Sequence, residues 1–168
     1  MSHDDPHTEP LYDRAALITI DVQEDTLDGG SFEVPGTSAI LPAIERLCRH
    51  FRHAGLPIVH IIRIYTPDGK NADRCRRAAL LAGERLLLKG SPGRRPADPL
   101  MPGNDIRIDD DLLMAGKIQP IGPNEVLIFK PRWGAFYHTP LEDHLLCRPP
   151  GRCGCVLGGA AGSRRPDF

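Results

Sequence analysis

Two charged residues stand where apolar runs end, and together they could activate a nucleophile. Lys130 closes residues 126–129, VLIF, which read as a buried strand because they are β-branched or apolar. Asp21 lies near the end of residues 15–22, AALITIDV, an apolar run interrupted only at Thr19 and Asp21 and typical of a strand buried on both faces. Open parallel sheets present their chemistry at the carboxyl ends of strands. A carboxylate there costs free energy unless a cation or hydrogen bonds compensate it. A lysine buried beside aromatic residues must likewise pair or change its pKa. Asp21 and Lys130 are therefore natural partners, with a solvated side chain as the other reading of Lys130.

The neighbours of these two residues fit a pocket. Gln23 follows Asp21 by two residues and so lies on the same side of an extended chain. After Lys130 comes the loop PRWGAFYH, which brings Trp133 and Phe136 as pocket or core aromatics, and then Thr139 and Glu142 at capping-box spacing with Pro140 between them. Strand, charged tip, loop and helix form the repeating unit of an α/β fold.

Other chemistry is weakly signalled. His60, within the strand-like residues 56–64, has no second histidine or carboxylate at metal-ligand spacing and reads as a packing residue. The basic clusters at 74–77 and 94–95 lack interleaved aromatics and read as solvated surface. GKNAD and GGAAG have no strand-and-helix context that would make them phosphate cradles. Neither a metal nor a cofactor is expected.

Composition narrows the classes further. With 21 basic and 22 acidic residues the net charge is -1, so no global field recruits nucleic acid or an anionic membrane. No apolar run approaches the roughly 18 residues of a membrane span, and the polar start MSHDDPHTEP does not read as a signal peptide, which predicts a cytoplasmic protein. Five cysteines, Cys48, Cys75, Cys147, Cys153 and Cys155, form no C-x-x-C pair and are expected to be reduced.

The elements that must position the charged tips follow in order. A flexible arm of residues 1–14 precedes one domain of residues 15–168. Thr37 or Ser38 caps a helix with apolar Ile40, Ile44, Leu47, Cys48 and Phe51, which Gly55 closes. The strand over 56–64 then makes a right-handed βαβ unit, and a further helix is predicted over 73–88. Residues 89–124 form a Pro- and Gly-rich insertion with an acidic segment at 109–111 that could start a turn of helix, and a stretch of this kind covers a site or makes a subunit contact.

With the first strand ending ITIDVQ and the later one ending IFKPRWGAF..TPLEDHL, the chain resembles the isochorismatase-like cysteine hydrolases, the superfamily of nicotinamidases, isochorismatases and N-carbamoyl amidohydrolases. The resemblance covers residues 15 to about 146. It implies a three-layer α/β/α fold with a doubly wound, mostly parallel sheet, and an Asp-Lys-Cys triad cleaving an amide, carbamoyl or vinyl-ether bond of a small metabolite. Asp21 would take the thiol proton and Lys130 would hold thiolate and carboxylate in register. Such help is needed because a thiol of pKa about 8.5 is mostly protonated at neutral pH. Trp133, Phe136 and Gln23 would bind substrate or orient Asp21. Some relatives hold a metal after the second strand, but the corresponding YTPDGKNAD has no histidine. Relatives are commonly oligomers, so a homo-oligomer is expected.

The nucleophile is where the pattern departs from the family. The family's cysteine opens a helix a few residues beyond a further strand. Here Cys153 and Cys155 fall before or within the strand-like VLGG, no cysteine follows, and the nucleophile position falls near Ser163. Of the final 22 residues, 15 are Gly, Arg, Pro or Cys, a composition that resembles an alternative reading frame and predicts a truncated or shifted tail lacking the last strand and helices. Two readings stand: a hydrolase, or a non-catalytic relative that binds a small molecule or a partner.

Overall fold

The computed structural model describes residues 12–146 and the backbone of residues 154–159. Five strands form one sheet in the order β3-β4-β2-β1-β5, with β1 at Ala15–Ile20, β2 at Ile58–Ile62, β3 at Gln119–Gly122, β4 at Glu125–Phe129 and β5 at Gly154–Gly159. β4, β2, β1 and β5 run parallel, and β3 pairs antiparallel with β4 at the edge. The sheet is thus mixed and mostly parallel. β3 goes beyond what the sequence pattern predicts, because its residues QPIG carry no apolar alternation.

Burial on both faces explains the unbroken apolar runs. Along β1, Ala15 and Leu17 pack with Ile44, Cys48 and Phe51 of helix α1 (Thr37–His53), while Ala16 and Ile18 pack with Leu141 and Leu145 of helix α4 (Leu141–Leu146). Each fully buried aliphatic side chain contributes about 1.5–3 kcal/mol to such a core. A third helix, α3 (Asp110–Met114), sets Leu113 against Ile62, Leu127 and Phe129.

Helix ends follow local chemistry. Gly55, at φ 65°, closes α1, with its N–H on Arg52 O and the Leu56 N–H on Phe51 O. Ile40 and Leu47 are 43% and 38% exposed, so they flank the buried stripe of Thr37, Ile44, Cys48 and Phe51 instead of belonging to it. Helix α2 spans only Arg74–Leu81, because Gly83 at φ 95° and the bond from Glu84 N to Ala79 O at 3.0 Å end it there. Beyond that point Leu86 and Leu87 fold back onto Tyr65 and Leu80 in place of the predicted helix to residue 88.

The Pro- and Gly-rich insertion is ordered. It holds short 3-10 turns at Pro92–Arg94 and Asp98–Leu100, then α3, whose N-cap Asp109 accepts from Leu112 N at 2.9 Å, and then β3. Arg94, expected on the solvated surface, is 12% exposed and paired with Asp110. Most of the expected arm, and the tail at 147–168 apart from the β5 backbone, lie outside the described residues. None of the described helices is long and apolar enough to cross a membrane.

Candidate active site

Asp21 follows β1 in a left-handed conformation, φ 56°, which is unusual for a residue other than glycine. Its N–H reaches Ile61 O at 3.0 Å and its carbonyl accepts from Thr26 Oγ1 at 3.1 Å, so the turn is pinned from both sides. Such strain costs on the order of 1–3 kcal/mol and persists where surrounding structure imposes it. The turn brings the carboxylate to the end of the sheet. There Oδ2 accepts from Lys130 Nζ at 2.6 Å, while Oδ1 is buried with no partner among the described residues.

Lys130 leaves β4 with its N–H on Ile62 O, and its side chain is 4% exposed. The solvated reading of this lysine therefore does not hold. An ammonium group has three donors, and two are placed, one on Asp21 Oδ2 and one on Trp133 O at 3.2 Å.

Arg63, just beyond β2, braces the Lys130 side of this pair. Its guanidinium donates to Lys130 O at 2.7 Å, Asn71 O at 2.9 Å and Asp73 Oδ2 at 3.0 Å. Tyr65 donates to the same Asp73 oxygen at 3.2 Å, and burial pushes its phenol above the ordinary value, partly offset by the Arg63 charge. The sequence reading misses Arg63 because Ile64 prolongs the apolar run past it. A buried charge near a strand end is the same signal that marks Lys130.

The structure does not bring Gln23 to the cavity. It is fully buried, with Nε2 donating to Arg63 O and Arg94 O and Oε1 accepting from Arg63 N at 2.8 Å, so it ties the loop after β1 to the end of β2. His60 is the satisfied packing residue expected, with Nδ1 2.7 Å from Thr19 Oγ1 and Nε2 2.7 Å from Glu125 Oε1.

A recess of about 40 Å³ opens beside the pair, lined by Asp21, Arg63, Asp73, Arg76, Lys130 and Arg132 together with Phe32, Tyr65, Leu87 and Trp133. Trp133 and Phe136 are 54% and 55% exposed, so neither is a core residue. Trp133 forms part of the cavity wall, whereas Phe136 is not among its lining residues.

Residues 15–148 match the isochorismatase domain family. The chain belongs to the isochorismatase family. Among its relatives, the ureidoacrylate amidohydrolase RutB of Methylobacterium radiotolerans is 27% identical over 151 residues, covering 79% of this chain and 51% of that protein. A protein of Arabidopsis thaliana named "Probable inactive nicotinamidase" is 27% identical over 133 residues, covering 77% of this chain and 58% of that one. The crystal structure of an isochorismatase family protein from Desulfovibrio vulgaris superposes with a TM-score of 0.69 at 26% identity, over 87% of this chain and 66% of that one. The chain spans about half the length of the curated relatives it matches.

Register bears on where a family nucleophile could stand. β5 runs parallel to β1, with Cys155 opposite Ala16 and Gly159 opposite Ile20. Cys155 is thus level with a residue five positions before Asp21, roughly 16 Å along the strand at about 3.3 Å per residue. Cys153 and Ser163 lie outside the described residues. Cys48 is buried on the inner face of α1 with its thiol pushed up to about 11 by burial, and Cys75 is exposed. Neither lines the cavity.

Proposed function

We propose that the cavity is a hydrolase site for an amide, carbamoyl or vinyl-ether bond of a small molecule, with Asp21 as base and Lys130 as the cation beside it. The observation that carries this reading is the Lys130–Asp21 pair, a buried ammonium on a partly exposed carboxylate, in which Asp21 Oδ1 and one Lys130 N–H have no partner among the described residues. Oδ1 can accept the proton of a nucleophile while the ammonium steadies the resulting anion. With an amide or carbamoyl substrate, the sulfur or oxygen then bonds to the carbonyl carbon and the amine leaves with the proton from Asp21. Water next attacks the same carbon and gives a proton to Asp21, which passes it to the departing nucleophile as the acid is released. The nucleophile would come from the chain beyond Gly159, since β5 ends beside Ile20.

A second reading is favoured by one observation. Cys155 of β5 is paired in register with Ala16, five positions before Asp21. This suits a chain that binds a small molecule without turning it over, and the Arabidopsis relative bears the name "Probable inactive nicotinamidase".

Release of ammonia from primary amides and N-carbamoyl compounds separates the two. Hydrolysis that falls about a hundredfold or more in both Asp21→Asn and Lys130→Met supports the first reading. Hydrolysis that survives both substitutions removes these residues from the mechanism. No release from any compound that the cavity binds leaves the second reading.

A further inference from the structure

The cavity beside Asp21 carries more positive charge than its own carboxylates balance. Its cations are Arg63, Arg76, Lys130 and Arg132, and its anions are Asp21 and Asp73. Lys130 pairs with Asp21 at 2.6 Å and Arg63 with Asp73 at 3.0 Å. Arg76 and Arg132 meet no carboxylate among the described residues. Arg132 Nη1 donates only to backbone carbonyls, Asn71 O at 3.2 Å and Pro131 O at 2.9 Å, which position the group without neutralising it.

Arg76 is held differently. Its guanidinium carbon lies 4.1 Å from the centroid of the Phe32 ring, and no hydrogen bond within the described residues uses its N–H groups. Stacking on an aromatic face fixes the orientation of a guanidinium while leaving its fork of donors open. That fork matches the two oxygens of a carboxylate.

We propose that Arg76 and Arg132 form an anion subsite that takes a carboxylate of the substrate, so that the site selects acid-bearing amides or carbamoyl compounds over neutral ones. The inference rests on reading this cavity as the substrate site. Arg76 is half-buried and Arg132 exposed at the rim of the recess of about 40 Å³, so a neutral ligand would displace water from these two cations without offering them a counter-charge. An acid whose carbonyl group lies at the Lys130–Asp21 pair places its carboxylate within the same wall. The small volume favours a short spacer between the two groups.

The molecule supplies its own reporter, because Trp133 is the single tryptophan of the chain and lines the cavity. Tryptophan fluorescence is titrated with N-carbamoylglycine and with its neutral counterpart N-carbamoylglycinamide, and ammonia release is followed on both. The acid is expected to bind about tenfold or more tightly than the amide, as one charge-assisted contact would give. Arg76→Gln should abolish most of that preference, Arg132→Gln should weaken it, and Arg76→Lys should keep part of it. Equal binding of acid and amide overturns the proposal, as does a preference unchanged in the Arg76→Gln, Arg132→Gln double variant or no response to either compound at millimolar concentration. Preferential binding of the acid without ammonia release upholds the subsite while the hydrolase reading falls. Equal hydrolysis of both compounds does the reverse.

Discussion

Lys130 Nζ reaches Asp21 Oδ2 at 2.6 Å across strands that are not neighbours, since β2 lies between β4 and β1. The contact spans the gap because Asp21 turns into the left-handed region and Arg63, just past the end of the strand between, holds the Lys130 carbonyl. An ammonium group that is 4% exposed depends on that carboxylate. Breaking a buried ion pair from one side costs more than removing both partners, because the remaining charge stays desolvated. Lys130→Met and Asp21→Asn should each destabilise the fold by about 2–3 kcal/mol, below the fully buried range because Asp21 is partly solvated. The double variant should lose less than the sum of the two. Urea unfolding of the four proteins in a double-mutant cycle checks this, and strict additivity would mean the pair adds nothing to stability.

A second packing relationship holds the loops on the cavity side. The buried Asp25 carboxylate accepts from Leu87 N at 2.7 Å, where Leu87 has φ 45° and lines the cavity. Gly93 passes so close that a Cβ there would overlap the same carboxylate. Gly93→Ala must displace Asp25 and release Leu87, with a cost of about 1–3 kcal/mol from overpacking. Thermal unfolding should show the loss. An unchanged Tm for Gly93→Ala would show that the backbone around residue 93 yields freely.

The sheet was legible because strands buried on both faces read as unbroken apolar runs, and the charged site residues because each ends such a run. That logic finds Asp21 and Lys130. It misses Arg63, hidden by the Ile64 that follows it, and β3, whose QPIG has the polarity of a loop and becomes a strand only by pairing with β4. It also places Gln23 at the substrate, although the contacts that bury its amide come from Arg63 and Arg94, residues about 40 and 70 positions distant in the chain. Helical spacing alone puts Ile40 and Leu47 on the buried face, and the position of α1 over β1 leaves them at its margin.

The described cysteines differ in the state of their thiols. Burial pushes Cys48 up to about 11, with the nearby Arg52 only partly opposing it, whereas Cys75 is exposed. Only the thiolate alkylates at a useful rate. Iodoacetamide at mildly alkaline pH, followed by peptide mapping, should modify Cys75 readily and Cys48 only after denaturant is added. Comparable labelling of Cys48 in the native protein would mean that α1 opens on the timescale of the reaction.

Glu125 gives the fold a defined acid limit. Burial would raise its carboxyl, but hydrogen bonds from Arg52 Nε and Nη2 at 2.7 and 2.6 Å, and from His60 Nε2 at 2.7 Å, outweigh burial and hold it below the ordinary 4.5. The hydrogen bonds to Glu125 also raise Arg52. A carboxyl depressed in the folded state binds its proton more weakly there than in the unfolded chain. Its stabilisation is therefore complete above about 4.5 and is lost as pH falls through the lower folded value. Glu125→Gln leaves Arg52 and His60 facing a neutral amide, so it should lower stability near neutrality by about 3 kcal/mol. The difference from the wild type should then shrink as pH falls below about 4.5. Other carboxyls titrate in the same range, so the informative quantity is that difference, read from urea midpoints at several pH values between about 7 and about 3. A gap that stays constant across the range would place Glu125 at its ordinary value and leave its contacts with Arg52 and His60 without pH-linked consequence.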